Sequence, residues 1–284
     1  MSSVPAIEIK GLRKTFRDFW LRPVAEAVRG IDLTVERGDV FGLLGPNGSG
    51  KSTTIKLLLG LLAPSAGTVR LFGLPPRTRA ARSRLGYLPE LSYLHPFLTA
   101  RETLHYYAGL SGMGGKAAKA RCTELLEQVG LSAVANRAVG GFSKGMARRV
   151  ALAAALVAKP ELLILDEPTS GLDPIGTRDV KDLIRSLARD GVTVLMTSHL
   201  LGDTEDVCTK IAILSQGRVA ACGRTTDLLT RTQDARFTVE GLAETEARAL
   251  ADELARRYGK PVSFDHPSVP LEKFFAETVG AARG

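Results

Sequence analysis

The stretch "GLLGPNGSGKSTTIKLLLG" (residues 42–60) decides the fold of this chain. Residues 45–52 match the pattern G-x-x-x-x-G-K-[ST] in full, follow the apolar segment "VFGLL" and open the helical pattern "STTIKLLLG". A strand, this loop and a helix in that order are the context that the pattern requires. A plain Gly-rich turn before a helix is the alternative, but such a turn would not need Gly-Lys-Ser in this register. The stretch therefore predicts a phosphate-binding loop.

The loop gives each of its residues a physical role. Its glycines allow backbone N–H groups to surround phosphate oxygens, and the helix N-terminus adds partial positive charge. Lys51 is expected to contact the β- and γ-phosphates, and Ser52 is expected to ligate Mg²⁺. The predicted nucleotide-binding residues of the loop are Gly45, Pro46, Asn47, Gly48, Ser49, Gly50, Lys51, Ser52 and Thr53.

Two adjacent carboxylates follow a second apolar strand pattern, in "LLILDEPTSGLDP". Asp166 is expected at the strand's C-terminus, where it can hold Mg²⁺ through water, and Glu167 can orient an attacking water. Adjacent acids at a strand end are often only a solvated turn. A complete phosphate loop in the same chain favours the functional interpretation, because a nucleoside triphosphatase needs both groups.

His199 ends the next apolar strand pattern, "VLMTSH". A lone histidine in such a place is more often a satisfied surface or core residue. Here it follows a strand predicted to lie beside the Asp166–Glu167 strand, where it can donate a hydrogen bond to the γ-phosphate and to the attacking water. We therefore predict a catalytic role for Glu167, His199 and Lys51.

The order of the remaining patterns predicts an α/β fold: a P-loop NTPase core with an antiparallel β subdomain, a helical insert and a small C-terminal α+β appendage. The segments "AIEIKGL", "GIDLTVERGD" and "GTVRLFG" predict antiparallel strands, with a loop over "RDFWLRPVAEAV". Residues from about 99 to 159 predict the helical insert, which begins with the capping-box pattern Thr99-x-x-Glu102. The segments around Asp166 and His199 predict parallel strands, and "IAILSQGRVAACG" predicts a closing hairpin. "ETEARALADELARRYG" and "PLEKFFAETV" predict helices of the appendage.

Composition limits the class of protein. The chain has 284 residues, a net charge of +8 and no dense basic run, so a solvated surface is favoured over a nucleic-acid surface. Its apolar runs are well short of the roughly 20 residues that cross a bilayer, and its N-terminus lacks a signal-peptide core. The three cysteines, Cys122, Cys208 and Cys222, have no ligand-like spacing. We therefore expect a soluble cytoplasmic protein without a disulfide framework or a zinc site.

The ordered motifs resemble the ATP-binding subunit of ABC transporters. The matching segments are "GPNGSGKST", "GYLPE", "FSKGM", "LLILDEP", "SGLDP" and "TSH". They imply an ABC ATPase domain over residues 5–224, with its helical subdomain at about 99–159, and an accessory region over residues 225–284. The "GYLPE" and "FSKGM" forms resemble the ABC-2 type branch, which often carries such an appendage.

The resemblance implies that two subunits meet head to tail and hold each ATP, with Mg²⁺, between one phosphate loop and the partner's signature segment. Ser143 and the backbone N–H of Gly145 would then grip the γ-phosphate bound to the other subunit. Asp173 would lie at the same interface. This would explain why the apolar helix after "FSKGM" opens with exposed donors, since its anion arrives from another chain.

Three features depart from the family pattern or leave alternatives open. Glu90 stands where the family has Gln; it could ligate the metal together with Ser52 and Asp166, and it adds negative charge near the γ-phosphate. Lys144 replaces a signature Gly, and a solvent-facing lysine is favoured over a phosphate contact. Phe16 is the best candidate for stacking on adenine, with Phe19 and Trp20 as alternatives, although each could be simple packing.

The predicted function is an ATP-hydrolysing subunit that drives substrate movement, with export favoured, through a separate integral membrane permease. The partners are that permease and a second ATPase subunit, either an identical copy or a close paralogue; no nucleic acid is expected. The predicted location is the cytoplasmic face of the cell membrane. A soluble ABC ATPase acting on nucleic acid or ribosomes is the alternative, but the chain has neither a coiled-coil insertion nor a second ATPase core. Glu167 and His199 argue against a regulatory module with little turnover.

Overall fold

The computed structural model describes residues 4–20, 22–199, 201–229, 243–259 and 262. The chain divides into two compact units, Met1–Leu228 and Leu229–Gly284. The strands are β1 (Ile7–Arg17), β2 (Pro23–Val35), β3 (Val40–Leu44), β4 (Ala66–Leu71), β5 (Leu85–Leu88), β6 (Leu162–Leu165), β7 (Thr193–Ser198), β8 (Lys210–Ser215) and β9 (Arg218–Arg224). The helices are α1 (Lys51–Leu58), α2 (Arg79–Arg82), α3 (Ala100–Leu110), α4 (Gly115–Gln128), α5 (Lys144–Leu156), α6 (Pro174–Arg189), α7 (Leu201–Glu205), α8 (Thr225–Leu229) and α9 (Glu244–Tyr258).

The antiparallel strands that the sequence predicts form a three-stranded sheet, and the structure gives their order as β2-β1-β4. The predicted loop over residues 17–28 is wrong for most of its length, because Arg17 ends β1 and residues 23–28 begin β2. Phe16 pairs with Ala25 and Arg17 pairs with Pro23. The pairing with β1 supplies the hydrogen bonds that hold this segment extended, and a proline is tolerated as the first residue of a strand.

The central sheet has the order β5-β6-β7-β3-β8-β9, and all of its pairs are parallel except the β8–β9 hairpin. Its strands β3, β6 and β7 are buried on both faces, which explains their continuous apolar runs. Along β3, Val40 and Leu44 pack into one hydrophobic cluster, whereas Phe41 and Leu43 pack into the other. Alternate side chains of one strand thus stabilise both layers, as the two-residue period requires.

The helical insert is formed by α3, α4 and α5. Its predicted capping box is confirmed: Glu102 N–H donates to Thr99 Oγ1 at 3.2 Å, and Thr99 N–H donates to Glu102 Oε2 at 2.9 Å. The Thr99 N–H and the Thr99 hydroxyl both donate to the Glu102 carboxylate, and these two bonds lower its pKa because they favour its charged form. Buried residues of all three helices join the cluster that contains Val40 and Leu44 of β3.

The second unit contains α9, which confirms the helix predicted at "ETEARALADELARRYG". The second predicted helix, "PLEKFFAETV", lies outside the described residues. Among the residues whose placement is described, no helix combines the length and the apolar character that a bilayer span needs.

Candidate active site

A cavity of about 300 Å³ lies where the phosphate loop meets the ends of three parallel strands. Its lining comprises residues 47–53 together with Ala27, Glu90, Asp166, Glu167 and His199. The last four follow β5, β6 and β7 in the chain. Parallel strands bring their carboxyl ends to one edge of the sheet, and open α/β sheets bind ligands there. The predicted phosphate loop, carboxylates and histidine therefore share one site.

The phosphate loop depends on a left-handed glycine immediately before α1. Gly50 has φ +108°, and a Cβ atom at this position would lie 2.7 Å from the carbonyl oxygen of Ala27. The side chain of Lys51 is buried across the loop, and its Nζ donates to the carbonyl oxygens of Gly45 at 2.5 Å and Pro46 at 3.2 Å. The sequence thus places an ammonium group inside the turn that its own backbone forms.

The N-terminus of α1 offers polar groups that have no side-chain partner among the described residues. Gly50 is the residue before the helix and has no side chain with which to cap the first-turn N–H groups. The hydroxyl of Ser49 is buried and has no hydrogen-bond partner among the described residues. Uncapped N–H groups, a hydroxyl and an ammonium are the donors that phosphate oxygens accept. The loop therefore fits a phosphate group chemically.

Asp166 and Glu167 are buried and are joined by a threonine from the next strand. Thr197 Oγ1 donates to Asp166 Oδ1 at 2.6 Å and accepts from the backbone N–H of Glu167 at 3.0 Å. Glu167 has φ +49°, a left-handed conformation that is uncommon for a residue other than glycine. The hydrogen bond from its N–H to Thr197 helps to hold this backbone, so Thr197 orients the carboxylate of Asp166 directly and the backbone of Glu167.

His199 lies next to Glu167 rather than acting alone. The distance from His199 Nδ1 to Glu167 Oε2 is 2.8 Å. Because a carboxylate only accepts, Nδ1 carries the proton of this bond, and a neutral imidazole would then have an unprotonated Nε2. The sequence assigned His199 and Glu167 separate roles, whereas their geometry couples the orientation of one to the other.

The segment that carries Glu90 is held by a buried arginine that sequence reasoning missed. Arg148 of α5 donates to the carbonyl oxygens of Glu90 at 2.9 Å and Asp166 at 2.8 Å. Burial lowers the pKa of its guanidinium, and the charge of Asp166 opposes this shift. Arg148 lies four positions before Leu152, on the same face of an apolar helix. A basic residue on such a face was the signal in the sequence that could have identified it. Thr197 was also missed; its signal was a polar residue within a buried strand.

Ser143, Gly145 and Asp173 form a second group, and none of them lines the cavity. Ser143 caps α5 by accepting from Met146 N–H at 3.2 Å, and Asp173 Oδ1 caps α6 by accepting from Gly176 N–H at 2.7 Å. A Cβ atom at Gly145 would lie 4.0 Å from both Gly176 Cα and Ser143 Oγ. The structure thus brings the starts of α5 and α6 together but keeps them apart from the phosphate loop.

The aromatic candidates for adenine also lie outside the cavity lining. Phe16, which is 39% exposed, pairs with Ala25, two residues before Ala27 of the lining, and Lys14 Nζ lies 5.4 Å from its ring centroid. Phe19 and Trp20 are exposed between β1 and β2, with their ring centroids 5.4 Å apart. Adenine stacking on Phe16 remains a prediction.

Comparisons with known proteins agree with this geometry. The ABC transporter family model matches residues 28–170. An uncharacterized ABC transporter ATP-binding protein of Nostoc sp. is 44% identical over 77% of this chain and 66% of its own length. The Nod factor export ATP-binding protein I of Burkholderia lata is 42% identical over 78% of this chain and 71% of its own length. The chain thus spans about two thirds of the length of these relatives.

Solved structures give the same result. The ATP-binding subunit of an ABC transporter superposes with a TM-score of 0.69 at 30% identity, covering 88% of this chain and 99% of that one. A dimeric ATP-binding cassette in a post-hydrolysis state, bound to ADP and Pi, superposes with a TM-score of 0.69 at 26% identity, covering 77% of this chain and 98% of that one. The family model, these relatives and the fold agree with the cavity in which the phosphate loop meets the strand-end carboxylates. The chain therefore belongs to the ABC transporter family as one of its ATP-binding subunits, and it has the ABC ATPase domain.

Proposed function

We propose that this chain hydrolyses ATP in a head-to-tail dimer and thereby drives export through a separate membrane subunit. The observation that carries the proposal is the single cavity, in which Lys51 and the phosphate loop lie together with Glu90, Asp166, Glu167 and His199. Two of the relatives are named for Nod factor export and for linearmycin resistance, which favours export over import. Nothing in the described structure favours a soluble ATPase acting on nucleic acid or ribosomes.

The nucleotide phosphates would occupy the uncapped N-terminus of α1. There Lys51 would exchange its bonds to the Gly45 and Pro46 carbonyls for the β- and γ-phosphates. The unpaired hydroxyl of Ser49 and the free first-turn N–H groups support this placement. Phe16 lies beside the strand that contributes Ala27 to the cavity, which supports a nearby adenine.

The donor set also fits Mg²⁺. Ser52, Glu90 and Asp166 line the same cavity. Their side chains carry hydroxyl and carboxylate oxygens, which are the ligands that this ion prefers. When bound, the ion would neutralise charge that develops on the phosphates. Thr197 would keep Asp166 oriented for this role through its 2.6 Å hydrogen bond.

Glu167 would orient the attacking water and accept its proton. Its left-handed backbone and the bond from its N–H to Thr197 fix where the carboxylate emerges from the strand. The 2.8 Å contact between Glu167 Oε2 and His199 Nδ1 holds both side chains at the cavity. With its Nδ1–H on Glu167, a neutral His199 would hold the carboxylate towards the water. A hydrogen bond from His199 to the γ-phosphate would require a proton on the ring nitrogen that faces that phosphate.

The second half of each ATP site would come from another copy of the chain or from a close paralogue. Ser143, Gly145 and Asp173 do not line their own subunit's cavity, yet Ser143 and Asp173 lie exposed at helix N-termini. The Ser143 hydroxyl accepts from Met146 N–H and keeps its own proton for donation to a phosphate. A partner's γ-phosphate supplies the anion that these groups lack.

The membrane subunit would dock beside Glu90. Leu91, Tyr93 and Phe97 follow Glu90 in the chain and are 66%, 87% and 83% exposed. Three large exposed apolar side chains within one short segment favour an interaction surface there. Docking here would link the transporter's movements to the segment that carries Glu90 and would hold the chain at the cytoplasmic face of the membrane. In this proposal residues 5–224 are the ATPase domain, and residues 225–284 are an accessory region.

A Glu167→Gln variant tests the function. The amide cannot accept the proton of water, so hydrolysis should slow by about two orders of magnitude or more while ATP affinity is kept. ATP should then trap a stable dimer, measured by light scattering with and without nucleotide. Turnover near that of the parent would remove Glu167 from the mechanism, and failure to dimerise with ATP would contradict the head-to-tail arrangement.

A further inference from the structure

Arg148 is a buried cation with no place in the mechanism described so far. It lies in the second turn of α5, five residues after Ser143, and only 7% of its surface is exposed. Its guanidinium leaves the helix and enters the space between the segments that follow β5 and β6. A buried guanidinium is costly unless its donors are satisfied, so its partners define what it does.

The partners of Arg148 belong to the two segments that carry the metal-binding and water-orienting residues. Nη1 donates to the carbonyl oxygens of Pro89 at 2.6 Å and Glu90 at 2.9 Å, and to Ser92 Oγ at 3.0 Å. The remaining bonds are to carbonyl oxygens of the other segment: Nη2 to Asp166 at 2.8 Å and Glu167 at 2.9 Å, and Nε to Pro168 at 3.1 Å. One side chain therefore joins α5 to residues 89–92 and to residues 166–168.

Five of these six partners are backbone carbonyls, and this matters for what the arginine controls. Bonds to side chains would fix rotamers, whereas bonds to carbonyls fix the path of the backbone. The planar fork presents its donors at fixed angles, so the two segments are held at a set spacing from each other and from α5. Any shift of α5 along its axis would strain several bonds together.

We propose that Arg148 is a positioning residue that transmits contact at Ser143 and Gly145 to the Glu90 and Glu167 segments of the same subunit. This inference rests on the proposed head-to-tail dimer, in which the start of α5 meets the partner's ATP. When that phosphate draws the start of α5 inward, Arg148 carries the movement to the backbone of Glu90, Asp166 and Glu167. Each subunit's own carboxylates thereby respond to the nucleotide that its partner holds.

The neighbouring arginine supplies a matched control. Arg149 also lies on α5, but its Nη1 bonds to Val129 O at 3.2 Å and lies 3.5 Å from Asp179 Oδ2. These partners attach α5 to the chain just after α4 and to α6, away from the carboxylate segments. Arg149→Gln removes an arginine from the same helix without touching the proposed link.

A double-mutant cycle tests transmission directly in the full chain. Arg148→Gln should lower kcat for ATP about 10- to 100-fold while KM and the ATP affinity of the monomer stay within about threefold, because the loss is in the orientation of reacting groups. Ser143→Ala should lower kcat by a similar factor. If Arg148 carries the effect of Ser143, the two substitutions should not add to each other. The kcat of the double variant should then stay within about threefold of the kcat of the slower single variant.

The control pairing should behave differently. The fold reductions in kcat caused by Arg149→Gln and by Ser143→Ala should multiply in the double variant, because the two effects are independent. Multiplying losses for Arg148→Gln and Ser143→Ala would overturn the proposal, as would an Arg148→Gln chain that turns over as fast as Arg149→Gln. Ser92→Ala removes one bond to Arg148, together with the bond from the Ser92 hydroxyl to the Pro89 carbonyl. It should lower kcat about two- to threefold, and an unchanged kcat would also count against the link.

The Glu167→Gln chain separates two kinds of failure. If it dimerises with ATP and the cycle is multiplicative, the head-to-tail function stands and the link through Arg148 is wrong. If it does not dimerise with ATP, the proposed function fails and the link fails with it. Melting temperatures of all variants identify any chain whose loss of activity is simple unfolding.

Discussion

Two helix N-termini in this molecule are proposed to hold the same kind of anion, and they are built in opposite ways. α1 begins after a left-handed glycine, has no side-chain cap and opens into a cavity lined by Glu90, Asp166, Glu167 and His199. α5 begins after Ser143, whose hydroxyl caps it, and lies outside that cavity with Lys144 exposed.

The difference shows how a single chain can carry two halves of different sites. The donors of α1 are enclosed by the groups of the chain's own chemistry, so they are completed by nucleotide alone. The donors of α5 meet no reacting group of their own subunit, so they are completed by an anion from outside. The comparison predicts that damage to the start of α1 acts on the subunit's own nucleotide, whereas damage at Ser143 or Gly145, at the start of α5, acts on the nucleotide that the partner holds.

The largest expected effect contrasts Lys51→Ala with Ser143→Arg. Each should reduce ATP hydrolysis to below about one hundredth of the parent rate, because each removes or blocks a group at the transferring phosphate. Only Lys51→Ala should weaken ATP binding to the isolated monomer, since Ser143 lies away from its own phosphate loop. Titration of each monomer with a fluorescent ATP analogue measures this. Loss of binding in Ser143→Arg would make both helices parts of one site.

Mixing those two variants sharpens the comparison. A mixed dimer has one site that carries both lesions and one site that carries neither. If subunits exchange and one intact site can turn over, the mixture should hydrolyse ATP faster than either variant alone. The proposed link through Arg148 predicts a gain below about tenfold, because the intact site uses the carboxylates of the chain that carries Ser143→Arg. Steady-state phosphate release at equal total protein is the measurement. A mixture no faster than its components would argue against sites shared between subunits.

A smaller effect distinguishes the two helices by their glycines. Gly50→Ala forces a left-handed alanine against the Ala27 carbonyl, so the free energy of unfolding should fall by about 1–3 kcal/mol. Gly145→Ala meets nothing closer than 4.0 Å, so its melting temperature should stay near that of the parent. Its hydrolysis should nevertheless fall about tenfold or more, because a methyl group would lie where the partner's phosphate approaches. Calorimetry measures the stability of both variants, and turnover measures their activity. A lower melting temperature of Gly145→Ala would contradict the prediction that this variant loses activity without losing stability.

The smallest expected effect concerns Glu90. Glu90→Gln keeps the size of the side chain and removes one negative charge from the cavity, so hydrolysis should stay within about tenfold of the parent. The Mg²⁺ concentration needed for half-maximal activity should change, because an amide oxygen binds the ion more weakly than a carboxylate. A magnesium titration at saturating ATP measures it. An unchanged titration would point to a role for Glu90 on the side of the membrane partner.

Features that depend on neighbouring residues in the sequence were predicted correctly, whereas a feature that depends on strand pairing was not. The phosphate loop, the capping box at Thr99 and the strand ending in Asp166 were each predicted from a local pattern, and the structure has them. The loop predicted over residues 17–28 was wrong because strand pairing with β1, and not the propensity of "VAEAV", decides that segment. Its small and charged residues gave no strand signal by themselves.

The amino-acid sequence by itself determined the phosphate loop, the strand-end carboxylates and the family, because these follow from short motifs in a fixed order. The tertiary structure alone decided which groups hold those motifs in place. Leu165 pairs with Met196 in the parallel sheet, and this register sets Asp166 beside Thr197 and Glu167 within reach of His199. Arg148 meets the Glu90 and Asp166 segments only because α5 packs against β5, which lies beside β6 in the sheet. Such contacts join residues from about 20 to 60 positions apart, and register and packing, rather than local preference, determine them.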